Sequence, residues 1–132
     1  YKDEERLKSA DEIIVGNIEE NLNNFNFNKD DHIVIVTRGH LTDKEALKAV
    51  VNQNVSYIGM IGSLKKVKGI MNDLIEEGIS EERLREVYAP MGLDIASSLP
   101  EEIAIGILSE ILLIKNKGSL RHKNEVKRVW DN

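Results

Sequence analysis

The chain has 132 residues, 41% hydrophobic and 31% charged, with no cysteine and a formal net charge of −5. These values fit one soluble globular domain large enough to fold without disulfides, and they exclude Cys-ligated zinc, iron–sulfur clusters and thiol nucleophiles. Charge is uneven: residues 1–32 carry net −5, residues 33–114 net −4 and residues 115–132 net +4, so a basic tail follows an acidic body, a poor footprint for nucleic acid.

Three apolar runs read as strands, each ending at a glycine turn: Glu12–Val15, His32–Thr37 and Tyr57–Ile61. The second is continuous rather than alternating, the pattern of a parallel strand covered on both faces. Helical patterns lie between and after them. Thr42 with Glu45 reads as a capping box ahead of Ala46, Leu47, Val50 and Val51. After Gly62-Ser63, the stripe Leu64, Val67, Met71, Leu74, Ile75 runs to a C-cap at Gly78. Ser80 caps a short helix through Leu84 and Val87. Tyr88 to Ser97 is a connection with room for a very short strand. Ser98 and Glu101 read as a second capping box, with Pro100 inside the first turn.

The helix that follows is apolar on nearly every side from Ile103 to Leu113, which predicts burial in the core or at a subunit contact. Its apolar run, Ile103 to Ile114, is too short to cross a bilayer. Leu120, Val126, Val129 and Trp130 suggest a weakly amphipathic terminal helix. Repeated strand–turn–helix order predicts a three-layer, Rossmann-like α/β fold with a mainly parallel sheet, without the usual first strand and its G-x-G-x-x-G loop. The expected division is a domain over 1–118 and a basic tail over 119–132.

In open α/β sheets ligands bind beyond the carboxyl ends of the strands. Thr37-Arg38-Gly39-His40 and Gly62-Ser63-Leu64-Lys65-Lys66 stand at those ends. Glycine allows close backbone approach, and a helix start with neighbouring lysines attracts anions. The same residues also suit an ordinary turn, cap and solvated surface. His40 could donate to a phosphate, ligate a metal or shuttle a proton. Asp94, in Met91-Gly92-Leu93-Asp94-Ile95, could orient a substrate or simply close an Asx turn. Spacing alone ends at an anion-binding α/β module.

Four stretches taken together carry a resemblance: Ile33 to His40, Tyr57 to Ser63, Ala89 to Ile95 and Pro100 to Ala104. In order and separation they resemble the C-terminal domain of the xanthine dehydrogenase accessory factor (XdhC/CoxI) family, over about Asp3 to Gly118. The resemblance implies a Rossmann-like domain that helps mature molybdenum hydroxylases, holding the molybdenum cofactor during its sulfuration and insertion, as a carrier rather than a catalyst. It implies that Thr37, His40, Gly62, Ser63, Gly92 and Asp94 line the site, to which the residues themselves add Arg38, Gly39, Lys65 and Lys66. Implied partners are an apo molybdenum hydroxylase and a cysteine desulfurase. The chain departs from the family in Ala96, where many relatives have glycine.

Two other readings stand beside this one: a nucleotide- or NAD(P)-binding module, against which the missing G-x-G-x-x-G counts, and a non-catalytic dimerising domain. A missing central strand exposes sheet edges, so a homodimer or domain-swapped assembly is expected, with Ile103 to Leu113 partly at the contact. The absence of cysteine and of a leader-like segment favours a cytoplasmic location.

Overall fold

A computed structural model describes residues 7–127 and 130. Two compact units follow one another, residues 1–90 and residues 91–132. In the first unit, α1 (Ile18–Asn23) is followed by β1 (His32–Ile35), α2 (His40–Val50), β2 (Tyr57–Met60), α3 (Leu64–Glu76) and α4 (Glu81–Leu84). The second unit holds α5 (Pro100–Lys115) and α6 (Lys123–Val126).

β1 and β2 pair in parallel, with His32 opposite Tyr57 and Ile35 opposite Met60. On the far side of β2, Tyr88 adds a one-residue parallel bridge at Gly59, donating its N–H to Ile58 O and accepting from Met60 N–H. That bridge is the short strand expected in the connection. The fold is Rossmann-like in reduced form, a parallel two-stranded sheet with helices packed on it.

The predicted strand at Glu12–Val15 does not form. These residues lie outside any sheet, with Ile14 and Val15 about half exposed. A β-branched run becomes a strand only where an edge pairs with it. Asn17 instead caps α1, accepting from Glu20 N–H at 2.9 Å. The two-sided cover predicted for the second apolar run, which forms β1, does not hold; it is β2 that is buried throughout. β1 buries Ile35, while Val34 is 43% and Val36 59% exposed.

The core gathers Ile35, Ile58 and Met60 from the strands, Ala46, Leu47, Val50 and Val51 from α2, and Val67, Ile70 and Leu74 from α3. The buried stripe of α3 runs through Ile70 rather than the expected Leu64 and Ile75, which are exposed. Gly78, with φ +95°, ends α3. Ile79 N–H bonds Leu74 O and Gly78 N–H bonds Ile75 O, the paired bonds of a Schellman motif. Ser80 caps α4 as expected.

Two capping boxes are corrected. α2 starts at His40 with extended Gly39 as its N-cap, which places Thr42 inside the helix. α5 has Leu99 as N-cap, and it is Glu102, not Glu101, that reaches back to accept from Ser98 and Leu99 N–H at 3.0 and 3.2 Å. Three positions after the cap is the spacing at which a carboxylate meets the cap's own N–H. These two bonds hold the Glu102 carboxyl below its ordinary range.

α5 is less buried than its composition suggests. Only Gly106 and Glu110 are buried along it, while Ile105, Leu108 and Leu112 form an exposed apolar line. Among the described residues no helix is long and apolar enough to cross a membrane. In the terminal region α6 spans four residues, Leu120 and Trp130 are exposed, and Val129 lies outside the described residues.

Candidate functional site

Both predicted turns stand at the carboxyl ends of the paired strands, Thr37–His40 after β1 and Gly62-Ser63 after β2. Each leads directly into a helix, so the N-termini of α2 and α3 belong to the same edge of the sheet. Their two starts differ. At α3, Ser63 Oγ accepts from Lys66 N–H at 3.2 Å. At α2, Gly39 has no side chain and makes no side-chain cap. The positive end of the α2 dipole is thus without the cap that α3 possesses.

The centre of this edge is a residue that sequence reasoning missed. Asp43, in the first turn of α2, is fully buried. Its Oδ1 accepts from Thr37 Oγ1 at 2.6 Å. Its Oδ2 has no hydrogen bond of good geometry, and the Lys66 ammonium meets it as an ion pair. A buried carboxylate needs such partners, because desolvation without them would cost several kcal/mol. The signal in the sequence was an aspartate on the same helix face as Leu47 and Val50, a face otherwise apolar.

Gly62 makes the pair reachable. Its φ of +150° is one that side-chain-bearing residues rarely adopt, and a Cβ there would stand 3.2 Å from Lys66 Cδ. The Lys66 side chain therefore passes close over the glycine on its way to Asp43. Lys65 is exposed and Arg38 is exposed with interactions of its own.

His40 is the first residue of α2, and its ring packs toward α3, where a Cβ on Gly69 would meet His40 Cε1 at 3.4 Å. His40 Nε2 lies 3.7 Å from Asp73 Oδ2, too far for a hydrogen bond. Farther along the same helix pair, Lys44 and Lys48 reach Glu77 at 2.5 and 2.8 Å. The hydrogen bond from Lys44, then that from Lys48, lowers the Glu77 carboxyl to about 2. The same bond raises Lys44. These ion pairs join α2 to the C-terminal end of α3.

Gly92 and Asp94 belong to the second unit. Gly92, at φ +108°, donates its N–H to Glu110 Oε1 at 3.0 Å. Leu93 N–H bonds Gly106 O, and a Cβ on Gly106 would stand 3.3 Å from Leu93 O. Asp94 Oδ1 accepts from Ala96 N–H at 3.2 Å, closing an Asx turn. Ala96 itself has φ +54°, a conformation that favours glycine.

A cleft of about 270 Å³ lies elsewhere, near the start of β2, lined by Asn54, Ser56, Tyr57 and Arg83 among others. It sits at the amino ends of the strands, where α/β sheets do not place their ligands. Its cation already has a structural task, since Arg83 Nη2 donates to Val51 O and Gln53 O beyond the C-terminus of α2.

The XdhC Rossmann domain family matches residues 1–111. The chain belongs to the XdhC family. It is 37% identical over 87 residues to the uncharacterized protein YqeB of Escherichia coli (strain K12), covering 66% of this chain and 16% of that protein. It is 29% identical over 108 residues to a probable xanthine dehydrogenase subunit of Bacillus subtilis (strain 168), covering 82% of this chain and 31% of that one. A solved xanthine dehydrogenase structure from Bacillus halodurans superposes with a TM-score of 0.74 at 27% identity, over 92% of this chain and 33% of that one. This XdhC domain thus spans a third or less of the length of these relatives.

Proposed function

We propose that this XdhC domain serves the maturation of a molybdenum hydroxylase of the xanthine dehydrogenase type, by binding the molybdenum cofactor during its sulfuration and insertion. Two relatives support the association by name, the probable xanthine dehydrogenase subunit of Bacillus subtilis and the Bacillus halodurans xanthine dehydrogenase. The observation that carries the binding site is the uncapped start of α2 at Gly39, beside the Thr37–Asp43–Lys66 cluster at the strand ends. A pterin dithiolene bearing a phosphate fits this chemistry. The N–H groups that open α2 suit its anionic group, and Gly39 and Gly62 allow close backbone approach.

The residues that would hold the cofactor are Thr37, Arg38, Gly39, His40, Gly62, Ser63, Lys65 and Lys66, and Gly92 and Asp94 are carried by the family resemblance. When bound, the molybdenum centre supplies the redox chemistry of the client enzyme; the domain's own residues bind and orient. Lys66 contributes less free charge than its sequence position suggests, because Asp43 already neutralises it. The partners of this role are the apo hydroxylase and a cysteine desulfurase, in the cytoplasm. A homodimer through the exposed Ile105, Leu108 and Leu112 line of α5 is part of the same proposal.

The test is retention of released molybdenum cofactor by the chain and by its Gly62→Val and His40→Ala variants. Weaker retention in both supports the site, and unchanged retention in both removes it.

A further inference from the structure

A threonine at the rim of an anion site would ordinarily be read as a donor to the anion. Its surroundings here argue the opposite. A hydroxyl has one proton and two lone pairs. Two acceptors compete for the Thr37 proton, Asp43 Oδ1 at 2.6 Å and Gly39 O at 3.2 Å. The shorter contact lies within the 2.5–2.7 Å range of an O–H donating to an ionised carboxylate, which is about twice as strong as a neutral bond. Asp43 is ion-paired to Lys66 through its other oxygen and buried, so it acts as the acceptor in this bond. One Thr37 lone pair faces Gly39 N–H across a long 3.4 Å. What half-buried Thr37 offers to an incoming group is therefore a lone pair.

We propose that Asp43 is a positioning residue that fixes Thr37 as a hydrogen-bond acceptor, so that Thr37 selects an N–H or O–H donor on the ligand rather than an oxygen of its anionic group. The inference rests on the anion-site reading above and divides its labour. The start of α2 receives the anion, and Thr37 reads a donor edge attached to it. The Asp43–Lys66 pair is charge-balanced, so the cluster adds selectivity more than net attraction. The ligand class is a molecule carrying both an anionic group and a donor edge, either ring N–H or sugar hydroxyl.

Three probes separate these possibilities: sulfate, an anion with no donor; 6-carboxypterin, with ring N–H groups; and ribose 5-phosphate, with hydroxyls. Each is titrated into the chain and into Thr37→Val and Thr37→Ser, following the amide signals of Gly39 to Leu41. Thr37→Val is expected to weaken one donor-bearing probe about tenfold, the size of one lost hydrogen bond. Thr37→Ser restores it, and sulfate affinity stays within about twofold. The probe that responds tells ring N–H from hydroxyl. Equal weakening of sulfate would overturn the inference, since Thr37 would then donate to the anion. So would a chain that binds sulfate but neither donor-bearing probe more tightly, or binding of both that is indifferent to Thr37→Val. If sulfate leaves Gly39 to Leu41 unmoved in the unaltered chain, the anion site fails and this inference falls with it.

Discussion

Asp43 and Lys66 meet across the first turns of two different helices, a buried carboxylate in α2 and a half-buried ammonium in α3. This pair ties together the two turns that follow β1 and β2, because Thr37 is bound to Asp43 and Gly62 lies beneath Lys66. The expected consequence is a large stability cost on breaking it. Asp43→Ala should lose about 2–4 kcal/mol, combining a charge-assisted hydrogen bond with an ammonium left without its partner. Urea unfolding of Asp43→Ala, Lys66→Ala and the double variant checks this, and the two single losses should not add. Additive losses would mean that the residues act separately.

Gly62→Val places a branched side chain at φ +150° and against Lys66 Cδ. A loss of about 2 kcal/mol or more is expected, since the backbone conformation and the displaced lysine both oppose the change. Gly78→Ala offers a comparison, for it shares the positive φ but has open space around it. It should cost less, about 1 kcal/mol. Equal costs would show that Lys66 does not lean on Gly62.

Among the described residues, two other than glycine occupy the left-handed region, Ala96 at φ +54° and Lys117 at φ +53°. Replacing either by glycine relieves about 1–2 kcal/mol of backbone strain, partly offset by the greater freedom glycine gives the unfolded chain. Ala96→Gly and Lys117→Gly should each stabilise by about 0.5–1 kcal/mol in thermal or urea unfolding. Destabilisation would contradict the backbone assigned there.

Glu77 carries a pH dependence. Its carboxyl is lowered from the usual 4.5 to about 2 by Lys44 and Lys48. A folded value below the unfolded one means that stability from this group is fully present above about 4.5 and is lost as the pH falls through about 2. The advantage of the unaltered chain over Glu77→Gln should therefore shrink across that window. A constant difference between the two would show that the lysines do not bind the ionised carboxylate.

The apolar line on α5 bears on assembly. Leu108→Glu alters an exposed position and should change folding stability by no more than about 0.5 kcal/mol. If α5 lies at a dimer contact, the same variant should shift sedimentation from dimer to monomer. A monomeric unaltered chain at micromolar concentration would remove the homodimer from the account.

Much of this was legible in the sequence. Apolar runs ending at glycine turns marked β1, β2 and their parallel order, and Ser63, Gly78 and Ser80 marked helix ends by side-chain chemistry alone. Glu12–Val15 misled because strand propensity does not reveal whether a pairing edge exists. Thr42 and Ser98 misled because a cap is decided by where the backbone turns extended, at Gly39 and Leu99. Asp43 was missed for a different reason. A lone aspartate in the first turn of a helix is common as a favourable dipole partner, and only the fold shows Thr37 and Lys66 converging on it. The apolar face of α5 was read from composition, but composition cannot say which of its sides would be covered.

The most direct measurement is amide chemical-shift mapping of the chain during titration with sulfate. The account predicts the largest changes at Gly39, His40 and Leu41, followed by Gly62 and Ser63. Changes confined to the start of α4 at Glu81 and Glu82, or to the basic segment from Arg121 to Lys127, with Gly39 to Leu41 unmoved, would contradict it.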